Sequence, residues 1–173
     1  MTATVFGTGT LHAVAVAVAV AVAEGGRLTL PSSVPGLVVD ERQHGFSAEM
    51  TASVEAFSAV RALTRSVPTA YGFAPELGES AELVVSELLG NVVRASPDTE
   101  PVPLIVEVYA VGSGVEVIVH DAVPGVPNRR DVALDSAEAM SGRGLHLLDL
   151  LTTRWTSEPS PLGKKIRCYL TAE

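Results

Sequence analysis

Two helical periodicities follow one another directly in this chain, and the clearest strand patterns come only after them. From Ala48 to Ser66 the apolar residues Val54, Phe57, Ala59, Val60 and Leu63, continued by Val67, recur at helical spacing with Arg61 and Arg65 between them. Pro68 is expected to stop that helix. Tyr71-Gly72-Phe73-Ala74 reads as a turn, and Pro75 opens a second helix with Glu76 and Glu79 near its positive end. That helix runs to about Ala95, where Ser96-Pro97 ends it. Leu104 to Val111 then alternates as a strand, Gly112-Ser113-Gly114 makes a hairpin turn, and Val115 to Asp121 returns. Residues 126–140 carry no sustained period and read as a loop or lid, followed by a short helix from Leu145 to Leu151. Strands around Trp155 and over Ile166 to Thr171 close the chain, and Leu37-Val38-Val39 adds a short strand before the body. This order lacks the βαβ alternation of a doubly wound fold. It predicts an α+β, two-layer α/β sandwich: a mixed, mostly antiparallel sheet with the helices on one face.

At 173 residues the chain has the length of one domain with a sizeable core. Residues 1–48 form an atypical N-terminal segment and residues 49–173 the domain proper, with Met50 an alternative start just before the patterned region. Within the segment, Ala13 to Ala23 alternates strictly between Ala and Val. The alternation suits a strand or arm, with a helix and an export or membrane role as the other readings. The apolar run falls short of the ~20 residues that span a bilayer, and no Lys or Arg precedes it. No membrane association and a cytoplasmic location are therefore expected. A net charge of −8 disfavours a phosphate backbone as partner, so no direct contact with nucleic acid is expected. A nucleotide needs only a few local amides and cations. The single cysteine, Cys168, excludes an internal disulfide and reads as a small buried hydrophobe. The four histidines, His12, His44, His120 and His146, have no metal-ligand spacing.

Three local features carry chemistry. On the second helix the apolar side is Leu77, Ala81, Val85, Leu88, Leu89 and Val92, and Glu87, Asn91 and Arg94 lie on the other side. Glu87 and Asn91 stand roughly 40° apart around the axis, so their side chains point the same way. Such a pair suits a hard cation with a reacting hydroxyl, and equally suits two solvated polar groups. Gly90 beside them costs about 1 kcal/mol relative to Ala in a helix middle, which makes sense if something approaches the backbone closely. Asp121 ends a strand before a glycine-containing turn, and Ser141-Gly142-Arg143-Gly144-Leu145 opens a helix, where exposed amides favour phosphate.

Taken in order, Ser-Glu-Leu-x-x-Asn from Ser86, Asp-x-x-x-Gly from Asp121, Gly-Arg-Gly-Leu-x-Leu-Leu from Gly142, Arg154-Trp155 and Gly163-Lys164 resemble the anti-sigma-factor serine kinases. These belong to the histidine-kinase-like (GHKL) ATPases with the Bergerat ATP-binding fold, and the likeness is strongest to their short actinobacterial regulators. It covers about Phe57 to Leu170. The resemblance implies that Asn91 binds Mg²⁺ bridging the phosphates of ATP and that Glu87 is the general base toward a serine hydroxyl. It implies that Asp121 accepts a hydrogen bond from the adenine amine. It also places Gly125 in the first glycine box and Gly142, Arg143, Gly144 and Leu145 in the second, with residues 126–140 as the lid. Three positions depart from the family pattern: Val123 replaces a box glycine, Ala95 a histidine, and Lys165 a threonine near the adenine.

The implied function is an ATP- and Mg²⁺-binding regulatory kinase that phosphorylates a small anti-anti-sigma-type protein and binds a sigma factor or similar regulator, as a homodimer. Two other readings are a non-catalytic binding module with the same fold and a detached sensor-kinase ATPase domain. The last is disfavoured by Glu87.

Overall fold

A computed structural model describes Leu28, Leu30 and residues 33–97, 100–125 and 146–172, and its helices and strands separate into two layers. The sheet contains β1 (Leu37–Arg42), β2 (Gly45–Thr51), β3 (Pro103–Val111), β4 (Gly114–Asp121), β5 (Arg154–Ser160) and β6 (Gly163–Thr171). Their order is β1-β2-β3-β4-β6-β5, and every neighbouring pair is antiparallel. Helices α1 (Val54–Ala70) and α2 (Pro75–Ala95) follow one another in the chain, and a short helical stretch, α3, covers residues 146–151.

Strand alternation decides which face meets the helices. Phe46, Ala48 and Met50 of β2, Leu104, Val106 and Val108 of β3, Val115, Val117 and Val119 of β4, and Ile166, Cys168 and Leu170 of β6 are buried in one core. Against them lie Val60, Leu63 and Val67 of α1, and Leu77, Ala81, Val85, Leu88, Leu89 and Val92 of α2. The whole apolar side predicted for α2 is thus buried, with Val84 added to it. The two-layer α+β sandwich is the observed architecture.

Two boundaries differ from expectation. The first helix starts at Val54, not Ala48, because residues 45–51 form β2 and Ser53 caps α1, its Oγ accepting the Ala56 N–H at 3.1 Å. The sheet therefore crosses residue 48, the boundary expected for the N-terminal segment. Pro68 does not stop α1, which continues to Ala70. Proline forfeits one backbone donor. Here it sits in the last turn, is buried with Val67, and its carbonyl accepts the N–H groups of Tyr71 (3.1 Å) and Phe73 (2.9 Å). The Ala/Val tract and the 126–140 loop lie outside the described residues.

Candidate functional site

The polar stripe of α2 faces away from the core near the helix's C-terminal end. Glu87 and Asn91 are half-buried and Arg94 is exposed. A single nitrogen, Arg94 Nη2, donates both to Glu87 Oε1 at 2.7 Å and to Asn91 Oδ1. The carboxylate and carboxamide oxygens thus converge on one cationic atom. Gly90 lies beneath them, and a Cβ there would stand 3.1 Å from Arg94 Nη1. The structure therefore brings Glu87 and Asn91 together, as helical spacing predicts, and adds a guanidinium that spacing alone does not assign.

Asp121 ends β4 on the helix-facing side of the sheet and is only 2% exposed. A carboxylate removed from water needs donors or a counter-charge. Its Oδ1 accepts the Val123 N–H at 2.8 Å and Lys164 Nζ at 2.7 Å, and Lys164 also donates to the Val123 carbonyl. The register explains this pairing, since Asp121 stands directly opposite Lys164 on β6. Lys165, one residue on, points to the opposite face, where its Nζ is 3.3 Å from Glu158 of β5. The ammonium on Asp121's side of the sheet is therefore that of Lys164, while Lys165, at the family's threonine position, is turned away. Gly125 adopts φ +89° in the turn after β4. Gly142, Arg143, Gly144 and Leu145 lie outside the described residues.

The end of α2 and the turn after β4 meet across a cavity of about 180 Å³. Ala95 and Val123, two of the departures noted above, both line it, together with Pro97, Pro101, Pro103 and Pro124. Ala95 is one helical turn beyond Asn91, and Ala122, which also lines the cavity, follows Asp121 in the chain. The cavity's volume is below the ~300 Å³ at which ligand pockets begin, and its lining is apolar where the family pattern carries a histidine.

The donor set fits a hard cation. Asn91 Oδ1 and Glu87 Oε1 are oxygen ligands of the kind that magnesium prefers. Among the described residues no group of three or more His, Cys, Asp or Glu is arranged to hold a metal by itself, so the remaining ligands would be water and phosphate oxygens.

Residues 50–170 match the model of the histidine kinase-like ATPase domain, which is most of the chain. The chain belongs to that family. No curated protein matches it. The six-stranded antiparallel sheet with helices on one face is the Bergerat-like arrangement of a histidine kinase-like ATPase domain. In this domain Glu87 and Asn91 sit on α2 and Asp121 at the end of β4, the helix and strand end on which the sequence pattern puts them.

Other polar groups sit apart from this constellation. His120 Nε2 is 2.8 Å from Glu107 Oε1 on the outer face of the sheet, and Glu107 also accepts from Tyr109 Oη. His146 is exposed on α3. Trp155 packs against the core and donates to Asp149 Oδ1 at 3.0 Å. Cys168 is fully buried, and burial pushes its thiol up to about 12. Among the described residues no helix is long and apolar enough to cross a membrane.

Proposed function

We propose that this histidine kinase-like ATPase domain binds ATP with Mg²⁺ and acts as an anti-sigma-factor-type serine/threonine kinase on a small antagonist protein. The observation that carries this reading is the convergence of the Glu87 and Asn91 oxygens on one cationic atom. Two solvated side chains have no need to share a partner, whereas a metal ligand and a base for an incoming hydroxyl must act at one place. When bound, Mg²⁺–ATP would supply the γ-phosphoryl group to the serine oxygen and leave as ADP, with the metal neutralising the phosphate charge. Asn91 holds the metal through its carboxamide oxygen. Glu87 takes the proton of the serine hydroxyl, and Asp121 orients the base through its carboxylate. The glycine box Gly142–Gly144 with Arg143 and Leu145 meets the phosphates, and Gly125 shapes the turn beside the base. A cytoplasmic location, a homodimeric state and a sigma factor or similar regulator as target complete the proposal.

A second reading is a binding module without turnover. It is favoured by the small size of the cavity that Ala95 and Val123 line and by the Lys164 ammonium already seated on Asp121. Nucleotide titration with Mg²⁺ on wild type, Asn91→Ala and Glu87→Gln separates the two. The kinase reading expects ATP binding by wild type, at least a tenfold loss in Asn91→Ala, and retained binding with lost phosphoryl transfer to the antagonist in Glu87→Gln. Absence of binding by wild type at millimolar ATP refutes both nucleotide readings. Binding with phosphorylation unchanged in Glu87→Gln refutes the base assignment.

A further inference from the structure

Glu87, Gly90, Asn91 and Arg94 occupy positions i, i+3, i+4 and i+7 of α2 and so form one stripe along its exposed side. Arg94 Nη2 takes both oxygens of the notch, and the guanidinium lies over Gly90, where a Cβ would press on Nη1 at 3.1 Å. The glycine that helix propensity disfavours is therefore the residue that leaves room for this cation. Resting on the metal-site reading above, we propose that Arg94 is a built-in counter-cation for the Mg²⁺ notch, and that the metal loads only when the guanidinium leaves. Asn91 Oδ1 and Glu87 Oε1 cannot serve a metal ion or a hydroxyl proton along the directions in which they accept from Arg94. The latch is weak enough to open. The Arg94 side chain is 54% exposed, and such surface pairs contribute little against water and salt. It acts as a threshold, keeping the notch neutral and closed to other cations until a metal already carrying phosphate oxygens displaces it.

Two substitutions disturb the latch by different routes. Arg94→Ala removes the cation. Gly90→Ala keeps the charge and is a better helix former, but its methyl group pushes the flexible guanidinium off its present seat by a few tenths of an ångström. The measured quantity is the ratio of ATP affinity in saturating Mg²⁺ to ATP affinity in EDTA, taken on the full chain by calorimetry. We expect this ratio to rise about two- to fivefold in both variants, the range of an exposed ion pair. In the nucleotide-free protein, the Asn91 side-chain amide resonances shift in both variants as well. An Arg94 that only stabilises the helix end leaves the ratio unchanged, and an Arg94 that is itself a ligand for Mg²⁺–ATP lowers it in Arg94→Ala. Either result overturns the latch while leaving the proposed function standing. A wild type that binds ATP in neither condition overturns the function and the latch together.

Discussion

Lys164 shows how much a single position depends on strand phase. The sequence places Gly163-Lys164-Lys165 ahead of the last strand, and the family pattern draws the eye to Lys165. The strand in fact begins at Gly163, so alternation turns Lys164 toward Asp121 and Lys165 toward Glu158. Glu87 and Asn91 were legible because a helical period needs no partner to set its phase. Lys164 was not, because its orientation follows from the register with β4. Lys164→Met should leave the buried Asp121 carboxylate unpaired and cost about 3 kcal/mol in denaturant unfolding. An unchanged midpoint would show that Asp121 does not depend on that ammonium. Cys168 gives a pH signature. Burial raises its thiol from 9.0 to about 12, so the folded state holds the proton more tightly than the unfolded state. This contribution is fully present below pH 9 and is lost as pH rises toward 12, so stability should fall across that window. Cys168→Ala should flatten the fall between pH 9 and pH 10, below the range where Tyr109, also raised to about 12 from 10.0, begins to add its own slope.

Helix α2 and the β3–β4 hairpin were readable because their ends are punctuated. Pro75 and Ser96-Pro97 bracket the helix, and Gly112-Ser113 turns the hairpin. β2 was not readable. Its core-facing residues Phe46, Ala48 and Met50 include one poor strand former, Ala48, and run into the helical period without an intervening Gly or Pro. Pairing with both β1 and β3 makes this segment a strand despite its weak local preference. Ser53 then marks the change of period, which its position before Glu55 and Ala56 hints at only in retrospect. Ser53→Ala should remove the cap on α1 and lower stability by about 1 kcal/mol. Thermal melts of the two proteins check this, and equal midpoints would mean that water satisfies the Ala56 amide equally well.

The sheet runs β1 to β4 in chain order, and the β5–β6 hairpin then joins it through β6 beside β4. A chain begun at Met50 would lack β1 and most of β2, baring the β3 edge and uncovering Leu104, Val106 and Val108, each at most 1% exposed in the full chain. Such a chain should lack the cooperative unfolding transition expected of the full chain when the two are compared by circular dichroism. A retained sharp transition would mean that the remaining four strands with α1, α2 and α3 suffice. The topology has another consequence. The β1–β2, β3–β4 and β5–β6 hairpins are closed by short turns, whereas residues 122–153 join the β3–β4 hairpin to the β5–β6 hairpin. Doubling the length of such a link costs only about 0.6 kcal/mol of closure entropy. A change in the length of the stretch between Asp121 and β5 should therefore cost the sheet on which Asp121 and Lys164 meet little, so long as Leu148 keeps its place in the core.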